Sequence, residues 1–276
     1  MHLSTLPQVK SIRALARGID VLKALQERPA TSLHDLHGDT GLSKPTLLRI
    51  LKTLEEAGMV HRAIGDGRYR VSARVRFLGR DLSDHDAIAE QAAPVLDQLC
   101  RRVLWPSDIA VYKDGAMEIL ETSRQQTPFL VNRARMGYRV HMLMSAMGRA
   151  YLAFCAREER DRILARLRRS TDPYDRRARE RSAVLAALQE DRRRGYAMRE
   201  AGYGYWVTDR SRAAAIAVPV LQDGRAIASI NLCWVDGAVT TEDMVASHLA
   251  DLQDAAAEIA RGVAGSLPRS GKGKVA

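Results

Sequence analysis

Between Gly41 and Gly58 a short run gathers hydroxyls and cations: Ser43, Lys44, Thr46, Arg49, Lys52 and Thr53. At helical spacing these side chains share one front, where they can bond phosphate oxygens and base edges in a DNA major groove. Arg49 suits a base edge, through its two-pronged donor geometry. Lys52 suits a phosphate, as do Arg68 and Arg70 further along the chain, which also suit the minor groove. Elsewhere the chemistry is poor. His34 and His37 stand three apart but have only Asp35 and Asp39 beside them, too little for a metal site. No Gly-x-Ser-x-Gly elbow or phosphate loop occurs, and Gly202-Tyr-Gly204 alone is no nucleotide fingerprint. Cys100, Cys155 and Cys233 are odd in number and far apart. They read as buried thiols of a reducing cytosol, not as disulfides or zinc ligands. Neither catalysis nor a metal nor a cofactor is expected.

The elements that hold the cationic run follow from periodicity. Leu47, Ile50, Leu51 and Leu54 repeat at i, i+3, i+4 and i+7, giving the helix an apolar back. Ser43 stands where a cap belongs, Pro45 lies in the first turn, and Gly58 supplies the left-handed stop. Taken alone, this fits an ordinary amphipathic surface helix as well as a DNA reader. The flanks favour the reader. A first helix spans Ser11 to about Glu27, with Ile12, Leu15, Ile19, Leu22 and Leu25 in helical register, and ends before Pro29. A short second helix covers Ser32–Asp39 with Leu33 and Leu36 inward, and Gly41 permits the tight turn that follows. Gly65-Asp66-Gly67 then reads as the turn of a β-hairpin. Three helices and a hairpin make a winged helix-turn-helix, expected over residues 9–72.

Charge agrees with this division. Residues 1–80 hold 14 Lys/Arg against 7 Asp/Glu, residues 81–263 hold 26 of each, and the tail adds Arg269, Lys272 and Lys274. A basic front beside a neutral body suits a polyanion partner at the front and another task behind it. No apolar run approaches the roughly 20 residues of a membrane span, and the N-terminus lacks a signal-peptide pattern, so a cytoplasmic protein is expected. Residues 73–104 read as linker and coupling helices, with Pro94 kinking or restarting the second of them. Residues 105–263 alternate hairpins and helices, an α+β domain with an antiparallel sheet. Its strand candidates are Ser107–Tyr112, Met117–Thr122, Phe129–Arg133, Tyr196–Glu200, Ala213–Leu221 and Ala226–Val235. Its helices are Ser145–Ala156, Glu158–Arg168, Ala178–Arg194 and one from Glu242 to about Val263, capped by Thr241. Residues 264–276 read as a disordered basic tail.

At this point the chain resembles the IclR family of bacterial transcriptional regulators over about residues 9–263. Leu42–Gly58 looks like its helix-turn-helix. The run from His141 to Phe154 looks like its loop-to-helix signature at an effector pocket. Gly195-Tyr196, Ile216–Pro219, Asp223-Gly224 and Ala228–Leu232 look like its C-terminal pattern. Within the family, Val103–Asp108, Ala153–Cys155 and Ile230–Leu232 look closest to the MhpR-like activators of phenylpropionate-type degradation. The resemblance implies a GAF-like effector domain, assembly as a homodimer or dimer of dimers, and a small carboxylate effector. By motif position the pocket would be lined by Met144, Ser145, Ala146, Met147 and Gly148, with Arg199, Asn231 and Cys233 as polar contacts. His141 replaces the motif's usual proline, and Arg199 stands where acidic or amide residues are frequent.

A carboxylate needs fixed donors. The N-terminus of the helix from Ser145 can supply N–H groups and a favourable dipole, with Ser145 and Asn231 as neutral donors and Arg133 or Arg199 as a charged fork. Met142, Met144, Met147, Trp105 and Trp206 can wall in an aromatic ring. The same methionines and buried polar groups also fit an ordinary core. The expected function is a ligand-responsive regulator that binds double-stranded operator DNA, probing an aromatic acid, with RNA polymerase a candidate partner and activation favoured. The alternative is a DNA-binding protein whose C-terminal domain only dimerises and binds no ligand.

Overall fold

The computed structural model describes residues 10–28, 30–79, 83–127, 136–203 and 213–266. The chain divides into two compact units, Met1–Leu82 and Ser83–Ala276.

The first unit contains α1 (Arg13–Glu27), α2 (Leu33–Thr40), α3 (Lys44–Glu56) and an antiparallel hairpin of β1 (Val60–Arg62) and β2 (Tyr69–Val71). Ser32 and Asp35 start α2 with a reciprocal capping box, each side chain accepting the other's backbone N–H. Gly41 ends it in the left-handed conformation, φ +66°. The core joins Val21, Leu25, Leu36, Leu47, Leu51, Val60 and Tyr69. Of the apolar stripe read on α1, only Leu25 is fully buried; Ile12, Leu15 and Ile19 are exposed. So small a unit can cover only the C-terminal half of α1. Ser43 occupies the cap position of α3 but does not cap it. Its hydroxyl bonds the Thr46 hydroxyl at 2.9 Å instead.

Among the described residues, the second unit is built on a six-stranded antiparallel sheet. Its strands are β3 (Asp108–Lys113), β4 (Ala116–Thr122), β5 (Arg139–His141), β6 (Ala197–Met198), β7 (Ala213–Gln222) and β8 (Arg225–Val235), in the order β5-β4-β3-β8-β7-β6. Asp114-Gly115 and Asp223-Gly224 take positive φ and close its two tight hairpins. Alternation along the strands separates two faces. Ile216, Val218 and Val220 face α4 (Asp84–Val103) and α8 (Thr241–Ser266). Ala215 and Ala217 face the layer of α5 (Ala146–Phe154), α6 (Arg157–Arg168) and α7 (Arg181–Arg194). Small residues on that face of β7 let α5 lie close to the sheet.

Several expectations change. The segment 73–104, read as linker and coupling helices, divides between the two units. A 3₁₀ turn, Ala73–Gly79, falls in the first unit, and α4 buries Ile88, Leu96 and Leu99 in the core of the second. Pro94 lies inside α4 without ending it. Ala178–Arg194 splits into a 3₁₀ turn at Pro173–Arg179 and α7, because Asp172 caps a turn begun by Pro173. Thr240 caps α8, one residue before Thr241, by accepting the Asp243 N–H at 3.1 Å. The strand β5 was not foreseen, and the strand read at Tyr196–Glu200 shrinks to Ala197–Met198. Phe129–Arg133 and the tail 267–276 lie outside the described residues.

Candidate DNA face and effector site

The front of α3 carries exposed Ser43, Lys44, Arg49, Lys52 and Thr53, with Thr46 half-buried. The buried back, Leu47 and Leu51, fixes which way they point. Arg49 has no side-chain partner among the described residues. Lys52 lies 3.2 Å from Glu56, an exposed pair one helical turn apart that is easily broken in favour of a phosphate. Thr53 is partly occupied, donating to Arg49 O at 3.0 Å.

The wing differs from its reading. Arg70 does not project freely: its two guanidinium nitrogens bond the two Asp66 oxygens at 3.1 and 2.6 Å. The Arg70 hydrogen bond, helped by the Arg68 N–H, holds the Asp66 carboxyl down at about 2. Arg70 thus neutralises the turn's own acid. Arg68 is the exposed cation of the pair, its guanidinium resting 3.5 Å from Ala30 O. Sequence reading missed Arg62, which donates to Gly67 O at 2.8 Å and lies over the Tyr69 ring. Its position just before the turn was the available signal. Arg49→Ala is expected to weaken operator binding by roughly 1–3 kcal/mol if the arginine reads a base. Fluorescence anisotropy at fixed salt checks this, and an unchanged Kd removes Arg49 from the reading face.

In the second unit the predicted residues Met144, Ser145, Ala146, Met147 and Gly148 lie at the N-terminal end of α5. Glu200 donates its N–H to Met144 O, and the neighbouring Arg199 N–H bonds Ala215 O, each at 3.0 Å. Ala215 pairs across the sheet with Cys233, and Ala217 with Asn231. Their roles, however, are unequal. Ser145 caps α5, accepting from Gly148 N at 2.9 Å and donating to His141 O at 2.8 Å. Gly148 is a packing position: a Cβ there would lie 2.4 Å from Met142 O. Met142, Ala146 and Met147 are buried, and Met144 is half-buried. Arg199 does not present an open fork. Its guanidinium bonds Tyr203 O and lies 5.0 Å over the Tyr203 ring. Arg133 and Trp206 lie outside the described residues. What remains unoccupied at this helix end is backbone. Ala146 and Met147 are buried, and their N–H groups have no partner among the described residues. Buried donors at a helix start are a place for an anion.

Across β3, the end of β4 and β8 lies a polar cluster that sequence reading missed. Asp108 is fully buried on β3, and Arg124 grips it with Nε–Oδ1 at 2.8 Å and Nη2–Oδ2 at 2.6 Å. Thr122 donates to Oδ1 at 2.7 Å, and Asn231 Nδ2 to Oδ2 at 3.1 Å. Asn231 Oδ1 accepts the Asp108 N–H at 2.7 Å, so this asparagine serves the cluster with both ends. Burial alone would raise the Asp108 pKa, but the Arg124 charge and these hydrogen bonds hold it below the usual carboxylate value. Arg124 Nη2 also lies 3.1 Å from Cys233 Sγ. Burial pushes that thiol up to about 11, which keeps it protonated and unreactive. The signal was present: an aspartate heading the apolar strand Asp-Ile-Ala-Val-Tyr needs a cation, and Arg124 follows its cross-strand partner Thr122 by two residues.

The family described as Bacterial transcriptional regulator IclR C-terminal matches residues 81–261, and the IclR helix-turn-helix domain matches 14–63. The chain belongs to the IclR family of bacterial transcriptional regulators. It is 25% identical over 254 residues to the HTH-type transcriptional regulator XynR of Escherichia coli, covering 91% of this chain and 96% of XynR. It is 30% identical over 229 residues to SauR of Cupriavidus necator, covering 80% of this chain and 84% of SauR. An IclR homologue from Microbacterium hydrocarbonoxydans, crystallised with 4-hydroxybenzoate, shares the fold with a TM-score of 0.51 at 24% identity, covering 92% of this chain and 100% of that one. As an IclR regulator the protein binds DNA and responds to a ligand. Its relatives are regulators of transcription, not enzymes. Among the described residues no helix is long and apolar enough to cross a membrane.

Proposed function

We propose that this IclR regulator controls a catabolic operon for an aromatic acid of the phenylpropionate type from the cytoplasm, as an activator acting with RNA polymerase. Two winged units of a homodimer, or of a dimer of dimers, would grip half-sites about one helical turn apart, or a multiple of that. The observation that carries the ligand is the start of α5, where the N–H groups of buried Ala146 and Met147 follow Met144, whose carbonyl accepts the N–H of Glu200, the neighbour of Arg199. A carboxylate fits those donors, and the methionines beside them suit a flat ring. Arg124 is already neutralised by Asp108, so it does not demand a dianion. This pocket chemistry supports the aromatic reading; the distant likeness to the 4-hydroxybenzoate complex supports the fold alone. Activation rests on the resemblance of Val103–Asp108, Ala153–Cys155 and Ile230–Leu232 to MhpR-like regulators.

A thermal-shift series tests the ligand. Hydroxyphenylpropionate, cinnamate, benzoates and small keto acids are titrated against the full-length protein. An aromatic carboxylate should raise Tm, by an amount equivalent to about 2.7 kcal/mol at a hundredfold excess over Kd. A shift with keto acids alone would refute the aromatic reading. No shift with any acid would favour the ligand-free dimerisation domain.

A further inference from the structure

We infer that Ile64, at the tip of the wing, is an apolar wedge that enters the minor groove and kinks the bound DNA. The inference rests on the DNA-binding role of the winged unit and adds a residue and a deformation to it. Ile64 is 103% exposed, whereas the other exposed large apolar side chains among the described residues lie between 38% and 69%. Such exposure leaves it without a packing partner among the described residues, and packing gives no reason for a branched hydrocarbon there. Turns of this kind ordinarily carry Gly, Asn, Asp or Ser.

The turn beneath it is rigid. Gly67 donates to Ala63 O and Ala63 to Arg68 O, both at 2.9 Å. Asp66 accepts the Arg68 N–H at 3.0 Å and both prongs of Arg70, while Arg62 ties down Gly67 O. Gly67 supplies the positive φ, +63°, that the turn requires. A fixed turn can push a side chain between base pairs, where a loose one would fold away. Charge suits the same partner. Within Val60–Val71 three arginines stand against one acid, and that acid is consumed by Arg70. Arg62 and Arg68 then flank the isoleucine as cations that can meet the two phosphate walls of a minor groove. A rigid apolar tip between cations is the composition by which minor-groove proteins part a base step and bend the duplex.

The test uses the full chain and a duplex of the gene's own upstream region, with the protected segment first located by footprinting. Bending is then read by circular-permutation gel shift for the wild type, Ile64→Ser and Ile64→Leu. The wild type and Ile64→Leu should bend the duplex. Ile64→Ser should lose most of the bend and bind roughly tenfold more weakly, with the salt dependence of binding unchanged, since no phosphate contact is removed. Because Ile64 packs on nothing among the described residues, both variants should melt with the wild type. Bending by Ile64→Ser equal to wild type, or a wild type that binds without bending, overturns the wedge. A wild type that binds no duplex overturns the DNA-binding role itself.

Discussion

Asp108→Ala should destabilise the second unit by about 3–5 kcal/mol, the usual cost of stranding one partner of a buried ion pair. Arg124 would keep its charge in a site where only 9% of its side chain is accessible. Its guanidinium pKa is pushed up because the Asp108 charge overcomes burial, so deprotonation offers no escape. Asn231 Nδ2 would lose its carboxylate partner, while Oδ1 keeps the backbone N–H of residue 108. The double variant Asp108→Leu with Arg124→Leu should recover much of the loss, because an apolar pair of similar volume needs no hydration. Differential scanning calorimetry of the full chain reads both. The sign of the pH effect is fixed as well. The native Asp108 pKa lies below the ordinary 3.8, so its contribution is fully present above 3.8 and fades as pH falls through the lower native value. The gap in Tm between wild type and Asp108→Ala should therefore be constant near neutrality and narrow in acid. A loss of under about 1 kcal/mol at neutral pH would show the cluster to be solvated.

Gly148→Ala should be nearly as damaging, at about 3 kcal/mol. An added methyl would lie 2.4 Å from Met142 O and 2.5 Å from Met142 Cα, and backbone cannot step aside as a flexible side chain can. The damage should also reach the candidate pocket. The loop that must move leads into the cap of Ser145, which holds the first turn of α5 and its free N–H groups. A variant that refolds with the wild-type Tm and the wild-type ligand shift would show that the loop yields easily.

The first unit was largely legible because its determinants are local. The glycines at 41 and 58 and the spacing of Leu47, Leu51 and Leu54 each act within one or two turns. What was missed there was the exposure of Ile12, Leu15 and Ile19, the engagement of Ser43 by Thr46, and pairing within the hairpin. Arg70 reads as a free cation until the turn folds Asp66 back onto it. In the second unit the hairpins closed by Asp114-Gly115 and Asp223-Gly224 were equally local. The Asp108 cluster was not. It joins β3, the end of β4 and β8, and Asp108 and Asn231 lie 123 residues apart. Only the sheet order brings them together. The same distance effect altered the pocket assignments. Motif position located Ser145, Arg199 and Asn231, but not that each would already be engaged by Gly148 and His141, by Tyr203, and by Asp108.

The most direct measurement is a footprint of the full-length protein on the gene's own upstream region, at low and rising salt, with and without an aromatic carboxylate. Protection should cover two half-sites about one helical turn apart, or a multiple, weaken steeply with salt, and change in extent or affinity when the acid is added. Absence of protection at low ionic strength, or protection indifferent to every acid that raises Tm, would contradict a DNA-binding head governed by a ligand-binding body.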